Sequence, residues 1–151
     1  MTEIIPYESR YQPDFKRLNL EWLNQFNLTE SHDLEILDDP EGTVLAGGGR
    51  IFLVREGDQI IATAGLWKEN ESTVELIKMA VDPAWRGRGI SKQLLDTCLA
   101  SARELGASKI ILYSNSQLRT ALGLYTRYGF THVAVTDAPF VTADVKMELH
   151  L

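Results

Sequence analysis

"MAVDPAWRGRGISKQLL" occupies residues 79–95. It joins the end of an apolar run to a turn carrying Arg86, Gly87, Arg88 and Gly89, and then to a helical pattern that begins with Ile90, Ser91 and Lys92. A strand that passes through such a turn into a helix directs free backbone N–H groups and the positive end of the helix dipole at one point. Gly87 and Gly89 remove the Cβ atoms that would hold an anion's oxygens off the backbone, and the three cations add charge where the dipole already favours an anion. The stretch therefore reads either as a phosphate cradle or as a capped surface turn. It is not a nucleotide loop of the GxxxxGK[ST] kind, and GxGxxG fails because the residue three after Gly89 is Lys92. With neither a P-loop lysine nor carboxylates in a Mg²⁺ context, a nucleotide-dependent phosphotransferase is excluded.

Outward from this stretch the chain alternates strands and helices. Upstream, "EIIPY" is a short edge strand, since Pro6 is tolerated only at an edge. Phe15, Leu18, Trp22, Leu23 and Phe26 recur at helical spacing, and Thr29 reads as the N-cap of a second helix, "TESHDLEILDD", stopped by Pro40. Three β-type runs follow, Ile51–Arg55, Gln59–Trp67 and Thr73–Val81, with links short enough for an antiparallel meander. Downstream, Leu94, Leu95, Cys98, Leu99, Ala102 and Leu105 form one apolar helical stripe closed by Gly106. "KIILY" (109–113), reached by a helical crossover, runs parallel to Thr73–Val81. A helix over about 118–128 and two strands, "THVAV" and "ADVKMELHL", finish the chain. The order β-α-α-β-β-β-α-β-α-β-β predicts an α/β protein with a mixed sheet, in a single domain over 1–151.

Composition limits the partners. A net charge of −6 over 151 residues argues against a general affinity for nucleic acid or an anionic membrane surface, so a phosphate ligand must be held locally. No segment is a membrane span, and "MTEIIPYESRYQPDF" carries no secretory pattern, which predicts a cytoplasmic protein. Cys98 is the only cysteine, and His32, His132 and His150 are scattered, so no metal site is expected.

"RGRGIS" at 86–91, preceded by "MAVDP", resembles the pyrophosphate loop of the GNAT superfamily of acyl-CoA-dependent N-acetyltransferases. "ALGLYTRYGF" (121–130) resembles that family's A-x-x-LY-x-x-x-GF helix and following strand, and the element order agrees over essentially the whole chain. The resemblance implies a splay between the fourth and fifth strands that admits acetyl-CoA, with the Met79, Ala80 and Val81 backbone against the acyl-pantetheine arm. It also implies the loop Arg86–Lys92, including Ile90 and Ser91, around the pyrophosphate. The pattern departs at Ser91, where Gly or Ala is usual, and at Leu118, where asparagine is common. Asn115 is the substitute candidate for a pantetheine contact.

Acyl transfer to an amine needs an unprotonated nucleophile, a stabilised oxyanion and a proton for the departing thiolate. The resemblance places Tyr125 as the general acid, a backbone N–H of Met79 or Ala80 as the oxyanion donor, and Glu75 as a base used by some members. Each has a plainer alternative: Tyr125 a packed aromatic, Met79–Val81 a core strand, Glu75 a solvated or paired side chain. Cys98, on the apolar stripe, reads as core packing rather than as an acyl carrier, which favours direct transfer in a ternary complex. A non-catalytic acyl-CoA sensor is the alternative from another class.

Acceptor pockets in this family are implied to lie between the first two helices and the far ends of the central strands. The six acids Glu30, Asp33, Glu35, Asp38, Asp39 and Glu41 there are either an attractor for a cationic amine or a solvated face. Trp22 and Phe26 follow a core stripe, Phe140 in "DAPFV" reads as an exposed loop aromatic, and His32 and His132 read as surface residues. The acceptor is a small-molecule or peptide amine, and a homodimer is compatible with the family.

Overall fold

The computed structural model describes residues 1–151. In chain order the elements are β1 (Thr2–Pro6), α1 (Gln12–Gln25), α2 (Ser31–Asp38), β2 (Arg50–Glu56), β3 (Gln59–Lys68), β4 (Thr73–Val81), α3 (Ile90–Glu104), β5 (Lys109–Ser114), α4 (Arg119–Arg127), β6 (Thr131–Val133) and β7 (Val145–His150). This is the order read from the sequence. The seven strands form one mixed sheet, β1-β2-β3-β4-β5-β7-β6, antiparallel everywhere except at β4–β5. The last strand inserts between β5 and β6, so it is paired on both sides and β6 forms the edge.

Each face of the sheet buries its own cluster. The apolar stripe of α3 (Leu94, Leu95, Cys98, Leu99, Ala102) packs with Leu124 and Tyr125 of α4 on Val74, Leu76 and Leu112. Phe15 and Leu18 of α1, with Ile36 and Leu37 of α2, cover Ile51, Leu53, Ile60 and Ile77 on the opposite face. Fully burying one such leucine contributes about 1.5–3 kcal/mol, so the 3.6-residue stripes and 2-residue alternation orient the layers.

Some boundaries differ from the sequence reading. The N-cap of α2 is Glu30, not Thr29: Glu30 and Asp33 form a reciprocal capping box, while the Thr29 hydroxyl turns to Asn24 Oδ1 at 2.5 Å. The "THVAV" strand ends at Val133, and the last strand begins at Val145. No helix is long and apolar enough to cross a membrane.

Two irregularities position the site. On the β3–β4 ladder Thr63 pairs with Ala80 but Gly65 pairs with Ile77, so Lys78 and Met79 together oppose Ala64. The bulge places Lys78 at φ +52°, a region disfavoured for a side chain with a Cβ. It is held by the Thr63 hydroxyl, which donates to the Lys78 carbonyl at 2.7 Å and accepts from Asn19 Nδ2 at 3.0 Å. Secondly, β4 and β5 pair only at Thr73–Glu75 with Lys109–Ile111. Beyond Glu75 the two strands separate, β4 staying with β3 and β5 with β7, and the expected splay is present.

Thr63→Val keeps the shape but removes both hydrogen bonds at the bulge. It is expected to lower stability by about 1–3 kcal/mol in urea unfolding, the cost of buried polar groups left unpaired.

Candidate active site

The opening between β4 and β5 is the floor of a cleft of about 610 Å³, within the ordinary range for small-molecule sites. Its walls come from both faces of the sheet: Asn19, Trp22 and Phe26 of α1 on one side, Leu124 and Tyr125 of α4 on the other, with Glu75–Val81 along its length. From Leu76 onward the β5-facing edge of β4 has no strand partner, so its backbone groups can pair with an extended ligand.

At one end lies the glycine turn. Asp82 accepts from the Ala84 N–H at 2.9 Å and sets a short 3-10 turn, Pro83–Trp85, after which Gly87 and Gly89 take φ +77° and +78°. No atom lies within 4 Å of a Cβ built on either glycine, so left-handed backbone rather than crowding within the chain selects glycine here. Gly89 is the N-cap of α3 and no side chain caps it, which leaves the first-turn N–H groups of Ile90, Ser91 and Lys92 free of intrahelical partners. Arg86, Gly87, Gly89, Ile90, Ser91 and Lys92 all line the cleft. Arg86 is tied to α1, its guanidinium stacked 5.1 Å from the Trp22 ring and bonded to Gln25. Arg88 differs from expectation: it folds 4.7 Å over Trp85 and is not part of the cleft wall. Ile90, 4% exposed, also anchors α3 in the core.

Glu75 and Tyr125 reach the cleft from opposite faces of the sheet. Glu75 is only 7% exposed and its carboxylate makes no hydrogen bond within the chain. No fully buried side-chain oxygen or nitrogen is unsatisfied, so this carboxylate opens on the cleft. Burial, reinforced by the charge of Glu69 and opposed by Lys78 and Lys146, raises its pKa to about 7. The Tyr125 hydroxyl is likewise unbonded, and burial together with nearby Cys98 raises its pKa to about 12, which keeps it a neutral proton donor. Cys98 is fully buried, its thiol pushed up to about 12 by desolvation, and it packs in the core as its place on the stripe suggested.

The third wall is α2 with the loop before β7. Lys78 projects from the bulge into a buried ion pair with Asp33, the two side chains 5% and 3% exposed, and its Nζ sits 5.0 Å from the Phe140 ring centroid. Glu30 accepts from the backbone N–H groups of Val141 and Thr142, each at 2.8 Å, and from the Thr142 hydroxyl at 2.5 Å. Asn115 lines the cleft, but its amide donates to the Thr142 carbonyl at 2.7 Å and its Oδ1 accepts from the Gln117 N–H, so its polar atoms brace this loop. Phe140, read as exposed, is half-buried against His32 at 4.9 Å, and it is Val141 that is 96% exposed.

The acids around α2 are not an attractor face. Glu30 holds the loop, Asp33 pairs with Lys78, Asp38 with Lys16 and Glu35 with His32; Asp39 caps Gly42, and Glu41 accepts from Tyr7. Trp22 and Phe26, read as core, are half-buried and stack edge-to-face at 5.1 Å in the cleft wall. Sequence reasoning also missed Arg119 and Arg127 of α4, which add positive charge to the cleft; no local motif marks them. No group of three or more His, Cys, Asp or Glu side chains is placed to hold a metal ion.

A sheet splayed between two parallel strands, a bulge on the inner one and a basic glycine turn at the next helix define an acyltransferase scaffold. The chain belongs to the acetyltransferase (GNAT) family, which residues 11–130 match. It is 31% identical over 131 residues to the uncharacterised N-acetyltransferase YjgM of Escherichia coli K12, across 85% of this chain and 70% of that one. Against a mycothiol acetyltransferase of Beutenbergia cavernae it is 32% identical over 104 residues, but spans only 35% of that protein. A GNAT-family acetyltransferase from Staphylococcus aureus Mu50 superposes with a TM-score of 0.91 at 25% identity, covering 99% of both chains. The Salmonella typhimurium protein YncA, solved with acetyl-CoA, superposes at 0.78 with 19% identity over 99% of this chain and 94% of its own.

Lys78→Met strands the Asp33 carboxylate in a buried site and is expected to cost about 3–5 kcal/mol in chemical denaturation, with Asp33→Asn in the same chain recovering most of the loss.

Proposed function

We propose that this chain transfers the acetyl group of acetyl-CoA to a primary amine of a small molecule or peptide, by direct attack in a ternary complex. What supports it above all is the convergence, in one cleft through the β4–β5 opening, of an unpartnered carboxylate and an unpartnered phenol. The bare N-terminus of α3 with Arg86 and Lys92 suits the pyrophosphate of coenzyme A, and the free edge of β4 suits the amides of its pantetheine arm.

In this reading Glu75 takes the proton of the acceptor ammonium, whose free pKa of ~10 leaves little nucleophile at neutral pH. As the C–N bond forms, a backbone N–H of Met79 or Ala80 on the bulged strand donates to the thioester oxygen, a contact worth about 3 kcal/mol of barrier. As the C–S bond breaks, the Tyr125 hydroxyl, which is still protonated at neutral pH, hydrogen-bonds to the departing sulfur and gives it its proton. The second proton leaves the nitrogen as the intermediate collapses to the amide and reprotonates Tyr125, while Glu75 passes the first to solvent.

The test is release of coenzyme A thiol from acetyl-CoA across a panel of amines. Tyr125→Phe is expected to lower kcat about 100-fold or more, the scale of a lost general acid, while KM for acetyl-CoA changes less than twofold. An unchanged kcat would remove Tyr125 from the chemistry.

Glu75 gives a pH signature. As a base it must be ionised, so kcat/KM rises as pH passes through about 7, and Glu75→Gln is expected to abolish that limb. Because its folded pKa is raised, the stability it contributes is present in full below about 4.5 and is lost as pH rises through about 7. Thermal unfolding of Glu75→Gln is therefore expected to lie above the parent at pH 8 by a margin that shrinks as pH falls and is gone by about pH 4.

A further inference from the structure

Beyond the main cleft, and sharing Glu75, Tyr113, Ile77 and Phe140 with it, lies a second chamber of about 230 Å³. At ~30 Å³ per water its size admits about eight water-sized groups. Four aromatic side chains wall it: His32, Trp67, Tyr113 and Phe140. His32 is packed between two of them, 6.5 Å from Trp67 and 4.9 Å from Phe140. Three carboxylates complete the lining, Glu69, Glu75 and Asp137, and none of them forms an ion pair or accepts a side-chain hydrogen bond within the chain. Glu75 is more than nine-tenths buried and stands at the junction with the cleft; Glu69 and Asp137 are exposed at the rim. Two lysines stand at its walls, Lys78, paired with Asp33, 5.0 Å from the Phe140 ring and Lys146 5.4 Å from the Tyr113 ring, so Trp67 and the rim carboxylates of Glu69 and Asp137 are what remain for a ligand's cation.

Aromatic faces attract a cation through the ring quadrupole, and unpaired carboxylates do so through charge. A neutral or anionic tail brings no positive charge of its own to offset the desolvation of Glu69 and Asp137, neither of which has a cation paired to it within the chain.

We propose that this chamber is the acceptor subsite and that it selects a short diamine, one amine at Glu75 for acetylation and the second, as an ammonium, among the aromatic rings with Glu69 and Asp137. The proposal rests on the acetyltransferase reading above and names its acceptor class. The attacked nitrogen lies where the two cavities join, and the distal ammonium, which stays protonated throughout, sets orientation and loses nothing to the chemistry.

The experiment compares three probes of equal chain length: 1,4-diaminobutane, butylamine and 4-aminobutanoate. Each is titrated calorimetrically into the coenzyme A-saturated protein, and into Glu69→Gln/Asp137→Asn, whose exposed positions leave the fold intact by circular dichroism. The diamine is expected to bind at least tenfold tighter than butylamine, with 4-aminobutanoate weakest, and the double variant to lose that preference. Equal binding of the three, a preference for 4-aminobutanoate, or a diamine preference that survives in the double variant would overturn the assignment. Thiol release from acetyl-CoA is scored separately with the same compounds. Preferential diamine binding with no release from any amine overturns the catalytic reading and leaves the chamber's ligand class standing. Release from amines without a diamine preference overturns the chamber proposal alone.

Discussion

A single extra residue in β4 organises this molecule. Lys78 sits at φ +52°, a conformation costing a residue with a Cβ about 1–2 kcal/mol. The strand keeps it there because three groups hold it from both sides. The Thr63 hydroxyl takes its carbonyl, Asn19 of α1 holds Thr63 in turn, and Asp33 of α2 pairs with its ammonium. The bulge bends β4 while β5 runs on beside β7, so the sheet opens just beyond Glu75 without losing the ladder to β3. The same lysine therefore opens the cleft, ties α2 to the sheet and, through Phe140, supports the loop that closes the far wall.

Opening the sheet brings its two faces to one place. Glu75 belongs to the α1–α2 side and Tyr125 to the α3–α4 side, and a closed sheet would keep them apart. Their environments then separate their proton affinities. Desolvation and neighbouring Glu69 raise the carboxyl to about 7, and deeper burial keeps the phenol protonated to about 12. A carboxyl that exchanges its proton near neutrality thus shares the cleft with a phenol that stays protonated there, and the two proton affinities are set apart by their surroundings.

Charge is distributed to match. The main cleft is lined by Arg86, Lys92, Arg119 and Arg127, while the adjoining chamber is lined by the carboxylates of Glu69, Glu75 and Asp137. Within the second helix Asp33 is taken up by the cap and by Lys78, Asp38 by Lys16 and Glu35 by His32, while Glu30 just before it holds the loop. Net charge and local charge are thus separate properties here: an acidic protein gathers several basic side chains in one cleft.

Sequence by itself determined the order of elements, the parallel pairing of β4 with β5, the glycine turn and the helix that bears Tyr125, whereas the splay was implied only by the family resemblance. These are written in local periodicities and short motifs, where hydrophobic spacing and left-handed glycines act over a few residues. Only the tertiary structure decided which polar side chains are free to work. The isolation of Glu75, the commitment of Asn115 to the Thr142 carbonyl, the turning of Arg88 onto Trp85 and the burial of Asp33 against Lys78 join residues up to 45 positions apart. Such pairings depend on how two faces of a sheet are covered, and a carboxylate's partner or lack of one is set by that packing rather than by its neighbours along the chain.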